Sequence, residues 1–389
     1  MRVLLVHNFY QISGGEDSVF QAERAILEEH GIDVALFTVT NDRIRGPVRQ
    51  AVTALQVIYN PLARRALARK LAELAPDVVH VHNFFPQLSP AIFDACHDAK
   101  IPSVLTLHNF RILCPTAFLG ADDADRERSL RQSCWWTVPR KVYRNSAAAT
   151  LAVAAMVEFH KTTGTWLHKV DQFIALTDWA RQIFIQGGLP TDRISVKPNW
   201  VARPAPRPAD HVQEGALFVG RLDEQKGIRV LLQAWQGLDY PLTVIGDGPL
   251  AGLVRESASP WIAFLGRQPR ERVQQAMQAA RFLVLPSVGH EMFPLTVLEA
   301  FANQLPVICS DLPSLAGLIQ DGVTGLTFPP SDAPALANRV RQAMAGTAIL
   351  ESMGRRAERI YAERYTPEAN FRQLMEIYGT TRAVSRNHA

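Results

Sequence analysis

The chain is poor in cysteine, in long apolar runs and in net charge. Its four cysteines, Cys96, Cys114, Cys134 and Cys309, include no pair at two-residue spacing, which argues against a zinc ribbon and against a disulfide scaffold. They read as buried thiols in a reducing, cytoplasmic compartment. No stretch reaches the roughly 20 apolar residues that span a bilayer, and the run from Val3 to Val6 is too short for a signal-peptide core. It reads as a first buried strand. The net charge of +4 is small for 389 residues and does not suggest a nucleic-acid-binding surface. Charged residues at 20% against hydrophobic residues at 47% exclude disorder, collagen and coiled coil at scale.

What is present is enough length for two cores of about 190 residues each. In the first half, short apolar runs at Val3 to Val6, Asp33 to Val39, Asp77 to Val81, Ser103 to Leu107 and Phe173 to Leu176 alternate with helical patterns at Asp17 to His30 and Ala63 to Ala75. Unbroken apolar runs separated by helices imply parallel strands buried on both faces, hence an α/β, doubly wound domain. Pro198, Pro204, Pro206 and Pro208 then punctuate a polar segment that can be neither central strand nor helix interior. The alternation restarts at Ala216 to Val219 and continues through Leu242 to Ile245, Ile262 to Leu265, Phe282 to Leu285 and Val307 to Cys309. We therefore expect a first domain over 1–198, a linker over 199–214, a second doubly wound domain over 215–366, and a C-terminal helix over 367–389 that packs back on the first domain. Two such Rossmann-like domains facing a cleft would place ligands at the carboxyl ends of both sheets.

The chemistry-bearing residues cluster after the second domain's strands. Gly220-Arg221-Leu222-Asp223-Glu224-Gln225-Lys226-Gly227 follows its first strand; a guanidinium fork and an ammonium around a short loop suit a diphosphate. Surface cations are the plain alternative. Gly246-Asp247-Gly248-Pro249 is a glycine turn after the next strand, open to the close approach of a nucleotide. In Glu291-Met292-Phe293-Pro294-Leu295-Thr296-Val297-Leu298-Glu299, two carboxylates eight positions apart straddle a loop and a helix beginning near Leu295, whose free amides over 294–297 would attract phosphate. A solvated helix residue is the alternative for Glu299.

Together these segments resemble the retaining family 4 glycosyltransferases of the GT-B fold, over nearly the whole chain. The resemblance implies that the second domain binds a nucleotide-sugar donor and the first an acceptor. By it, Arg221 and Lys226 would hold the diphosphate and Glu291 the donor sugar's hydroxyls. Glu299 would hold the ribose, the amides of Phe293, Pro294, Leu295 and Thr296 the distal phosphate and sugar, with Pro itself lacking a donor. Gly220, Gly246, Asp247, Gly248 and Arg267 would adjoin the nucleotide. The sequence departs from the family's commonest pattern at Pro294, where Gly is frequent, and at Ser314, where Glu is frequent. In the first domain, Gly14 and Gly15 open a helix after strand one, toward acceptor or donor phosphate. His108 is expected at the reaction centre with Asn109 beside it, and Asn83 with Phe84 and Phe85 in the acceptor pocket; His80 and His82 end the same strand, and core packing is the equal alternative there.

The implied reaction is retaining transfer of a sugar from a UDP- or GDP-sugar to a glycan or lipid-linked oligosaccharide, as in bacterial surface-polysaccharide synthesis. Fixed cations would stabilise the leaving diphosphate, so neither a metal nor another cofactor is expected. A sugar-nucleotide epimerase of the same fold, or a binding protein without activity, are the rival readings. Arg126 to Lys169 holds eight Lys/Arg against two Asp/Glu, together with Trp135, Trp136, Tyr143 and Trp166. It reads either as a solvated basic face or as a surface for anionic lipid, which would make the protein peripheral to the inner face of the cytoplasmic membrane.

Overall fold

The computed structural model describes residues 1–11, 14–44, 46–119, 123–207 and 213–387; residues 208–212 of the expected linker, with Pro208, and the last two residues of the expected C-terminal helix lie outside them. The chain divides into two compact units, 1–198 with 371–389 and 199–370. The helix Pro367–Asn387 therefore starts within the second unit and continues in the first.

The first unit is a six-stranded parallel sheet. Its strands are β1 (Arg2–Phe9), β2 (Asp33–Thr40), β3 (Val78–Val81), β4 (Ser103–Thr106), β5 (Gln172–Ala175) and β6 (Ile194–Val196), in the order β2-β1-β3-β4-β5-β6. Every residue of β3 and β4 is buried, His80, Ser103 and Thr106 included, as strands covered on both faces must be, whereas the edge strand β2 is only part-buried. Val3 and Leu5 pair with Val34 and Leu36 on one side and with Val78 and His80 on the other. The core joins Val3, Leu5, Phe20, Leu27, Val104 and Ile174 to Leu374, Ile377 and Tyr378 of the C-terminal helix. Burying each of these large apolar side chains is worth about 1.5–3 kcal/mol.

The second unit has β7 (Ala216–Val219), β8 (Leu242–Ile245), β9 (Ile262–Gly266), β10 (Phe282–Leu285), β11 (Val307–Ser310) and β12 (Gly325–Phe328), ordered β12-β11-β10-β7-β8-β9 and again parallel. The strand order reverses beside β7, which pairs with β8 on one side and β10 on the other. In such a sheet the carboxyl ends of the two strands flanking the reversal open a crevice. Phe218, Leu231, Phe282, Leu326 and Leu336 form the middle of this core.

Two strands, β6 and β12, were not legible in the sequence pattern. Ile194-Ser195-Val196 is three residues with a polar centre, and Gly325-Leu326-Thr327-Phe328 opens on glycine and alternates. Both are outermost strands, where one flank lacks a partner and the apolar run can be short or broken.

Candidate functional site

The crevice of the second unit is where its charged residues gather. The loop after β7 carries Arg221 to Gly227, and the loop after β10 carries Ser287 to Glu291. Backbone bonds tie them: the amides of Val288 and Gly289 both donate to the carbonyl of Gln225, at 2.9 and 3.3 Å. The turn after β8 is tied in as well, the Leu222 amide donating to the Asp247 carbonyl at 2.9 Å and the Leu250 amide to the Leu222 carbonyl at 2.9 Å. Two glycines make this meeting possible. Gly227 has φ +69°, and a Cβ there would lie 1.8 Å from the Pro286 carbonyl oxygen. Gly246 has φ +150°, and a Cβ there would lie 1.8 Å from the Gly220 carbonyl oxygen.

Lys226 Nζ donates to both oxygens of Glu291, at 2.6 and 2.8 Å, and the Ser287 hydroxyl donates to Oε1 at 2.6 Å. The Glu291 amide donates to the Ser314 hydroxyl at 3.2 Å, so the residue found where the family often has Glu helps set this loop. Asp223 accepts from the Lys226 amide at 2.9 Å and from Arg221 Nε. Arg221 and Lys226 are thus each matched by a carboxylate, and the four charges balance. Linear order left their partners open; the loops fold Asp223 and Glu291 onto them. The two terminal nitrogens of Arg221 keep no partner among the described residues, and its side chain is 61% exposed.

The helix Leu295–Ala302 begins at the expected place, with Pro294 as its N-cap and no side chain capping it. Leu295 and Thr296 are part-exposed, but the Val297 amide donates to the Pro294 carbonyl at 3.0 Å. The expectation of free amides through Val297 is therefore too long by one. Phe293 is buried against the Tyr365 ring and offers packing. Glu299 is not the solvated helix residue of the plain alternative: burial raises its pKa, with Arg270 opposing. Gly220 and Gly248 are part-exposed; Asp247 and Arg267 are exposed. Asp247 Oδ1 accepts from the Gly248 amide at 2.8 Å, an interaction that shapes the turn.

In the first unit, the ends of β3 and β4 line a small cavity with Glu16, His82, Asn83, His108, Asn109 and Arg111. Glu16 and Arg111 were passed over in the sequence; Glu16 stood beside the glycine pair, and nothing in the linear pattern marked Arg111. Burial pushes the Glu16 carboxyl up to about 8, with Arg111 opposing. Burial also holds the His108 imidazole well below its ordinary value. Asn83, with Phe84 and Phe85, and Asn109 line this cavity as expected, and both asparagines also hold local backbone. The Asn83 amide serves the backbone, donating to the Asn8 carbonyl at 2.7 Å and accepting from the Phe85 amide at 2.9 Å. Asn109 Oδ1 accepts from the Arg111 amide at 3.0 Å. Gly14 is the N-cap of the helix Gly15–Glu29; its amide donates to Asp17 at 3.2 Å, a Cβ there would meet nothing within 4 Å, and residues 12 and 13 beside it lie outside the described residues.

The basic aromatic stretch is less exposed than its composition implies. Trp166 is buried against Phe84 and Phe93, and Tyr143 is part-buried, whereas Trp135 is exposed. Arg140 is bonded to Asp125 at 2.6 Å and lies over the Trp136 ring, Arg131 is paired with Glu127, and Lys169 with Asp94. Asp125 also belongs to an Asp-x-Asp triplet, Asp123-Ala124-Asp125, in which Arg140 engages the Asp125 carboxylate.

Residues 14–200 match the family of glycosyl transferase 4-like domains, and residues 213–345 match the glycosyl transferases group 1. The chain belongs to this glycosyltransferase family. Over 175 residues it is 34% identical to the D-rhamnosyltransferase WbpZ of Pseudomonas aeruginosa, a match covering 42% of this chain and 46% of that one. It thus spans about half the length of that relative. It is 24% identical to the O-antigen chain mannosyltransferase C of Escherichia coli, with 98% of both chains covered. The crystal structure of Anabaena HepE in complex with UDP superposes with a TM-score of 0.69 at 17% identity, over 98% of this glycosyltransferase and 100% of that chain. The likeness establishes the GT-B type of fold. Among the described residues no helix is long and apolar enough to cross a membrane.

Proposed function

We propose that this glycosyltransferase moves a sugar, with retention of anomeric configuration, from a UDP- or GDP-sugar to a hydroxyl of a glycan or lipid-linked oligosaccharide during synthesis of a bacterial surface polysaccharide. The observation that carries the reading is the Arg221, Lys226 and Glu291 cluster at the reversal of strand order, beside the uncapped helix start at Leu295. An ammonium has three N–H donors. Two contacts to Glu291 leave Lys226 one for a phosphate oxygen, while the terminal nitrogens of Arg221 form a fork for another. As the sugar–phosphate bond breaks, charge grows on the diphosphate, and these donors stabilise it more than they stabilise the bound donor. On this reading Glu291 is held by Lys226 and Ser287 to orient sugar hydroxyls, and needs no role as a nucleophile. No metal is required, since the cations answer the developing charge. The first unit supplies the acceptor side through Glu16, His108 and Arg111.

The names of the relatives support the substrate class, since they include an O-antigen mannosyltransferase and a rhamnosyltransferase. Transfer assayed with a panel of UDP- and GDP-sugars, without added metal and with a lipid-linked acceptor, tests the reading. Turnover of one donor to a retained glycoside is expected. Binding without transfer or hydrolysis would leave an inactive binding protein, and conversion of the donor without acceptor would leave an epimerase. For the membrane, Lys141, Arg144 and exposed Trp135 support contact with anionic lipid at the inner face; unchanged vesicle binding after their neutralisation and removal would overturn it.

A further inference from the structure

Behind the first unit's cavity lies a line of titratable side chains that the proposed reaction does not explain. Glu23, on the helix Gly15–Glu29, is fully buried and is bonded through Oε1 to the equally buried ammonium of Lys197. Its other oxygen lies 3.4 Å from His82 Nε2 and 3.7 Å from His80 Nδ1, and neither that oxygen nor His82 Nε2 has a hydrogen-bond partner of ordinary geometry among the described residues. His82 Nδ1 is 3.2 Å from His108 Nε2, and the two rings stack with centroids 5.4 Å apart. No further bond reaches the His108 ring among the described residues, and this part-exposed ring lines the cavity.

Glu23, His80 and His82 have the donor types of a metal site and lie close enough to form one. Part of that donor set is already committed. Lys197 holds the carboxylate, and His80 uses both nitrogens, Nδ1 with the Tyr378 hydroxyl and Nε2 with the Thr106 hydroxyl, each at 2.7 Å. A different role follows from proton placement. Burial opposes ionisation of Glu23, yet Lys197 and His82 together hold its carboxyl well below the ordinary range. An ionised carboxylate only accepts, so the proton between it and His82 sits on Nε2. Lys197 already neutralises Glu23, and a second proton on His82 would leave an uncompensated buried positive charge. The His82 Nδ1 is therefore bare and accepts from His108 Nε2–H, which leaves His108 Nδ1 bare in turn.

We infer that Glu23 and His82 are positioning residues that lock His108 into the Nε2–H tautomer and present its Nδ1 lone pair as an acceptor for a substrate hydroxyl. The tautomer is a property of the free protein; its use on a hydroxyl rests on the glycosyltransfer reading above. The arrangement has the logic of a carboxylate that fixes the tautomer of a histidine, extended by one more imidazole.

Long-range proton–nitrogen correlation spectra of the full chain labelled at histidine test the lock, with His108 assigned by the signals that vanish in His108→Gln. The expected result is an unprotonated Nδ1 and a protonated Nε2 on His108. A protonated Nδ1 would overturn the inference even if transfer activity is found, and activity absent with every donor would remove the glycosyltransfer reading while leaving the lock in place. Glu23→Gln alone takes the opposite charge away from the buried Lys197 ammonium, so the second test is the double variant Glu23→Gln with Lys197→Met. Mixed His108 tautomers and a kcat lower by about a hundredfold at unchanged donor KM are expected. A single, unaltered tautomer with normal kcat in that variant would also overturn the inference.

Discussion

Lys226 and Glu291, 65 positions apart in the chain, meet with Nζ 2.6 Å from Oε1 and 2.8 Å from Oε2 at the reversal of strand order in the second sheet. Each comes from the loop after a different strand, β7 and β10, and those strands are neighbours. Lys226→Ala should lower kcat/KM by about 10² to 10³, while unfolding stability changes by about 1 kcal/mol or less, since the pair is not fully buried. Steady-state rates and urea melts check both. Near-normal turnover would remove Lys226 from the site.

Gly246 is held at φ +150° with the Gly220 carbonyl where its Cβ would be. Gly246→Ala is expected to destabilise the second unit by about 2–4 kcal/mol and to weaken donor binding with it. Gly252, where a Cβ would meet nothing within 4 Å, is the control position. Calorimetry showing equal effects at the two positions would contradict the geometry.

Glu16 keeps its proton in the folded chain up to pH of about 8, against an ordinary value of 4.5. Between those two values the folded state binds a proton that the unfolded state has lost. Stability contributed by this group therefore falls as pH rises across that window and levels off above it. Glu16→Gln imitates the protonated form and should remove both this slope and an activity limb near pH 8. Denaturation midpoints and kcat/KM measured from pH 5 to 9 report the two effects separately.

Tyr378 donates to or accepts from His80 Nδ1 at 2.7 Å across 298 residues of sequence. Tyr378→Phe leaves that buried nitrogen unpaired and should cost about 1–3 kcal/mol. A change below about 0.5 kcal/mol in chemical denaturation would show that the hydroxyl is dispensable there.

Much of the fold was legible because parallel strands buried on both faces are mostly apolar, without polar alternation. Runs such as Val78-Val79 and Phe282-Leu283-Val284-Leu285 have no exposed face on which to place a polar residue. The donor-side residues were legible because the loops carrying them follow those strands immediately. What could not be read was partner choice. Nothing local to Arg221 says that Asp223 turns back onto it, and nothing near Lys226 says that Glu291 will arrive from the other side of β7. Asn83 lines the first unit's cavity, but nothing in the linear order says that its amide also binds backbone groups of its own loop and of residue 8.

The amino-acid order by itself determined two doubly wound parallel sheets, the place where the second starts, and the loops that carry Arg221, Lys226, Glu291 and Glu299, because apolar periodicity and glycine turns are local signals. The tertiary structure alone decided the charge balance of the donor-side cluster, the return of the C-terminal helix to the first core, and the line from Lys197 through Glu23 and His82 to His108. Those are contacts between residues up to hundreds of positions apart. The last two depend on burial, which turns a hydrogen bond into a requirement, and burial is set only once the strands have found their order.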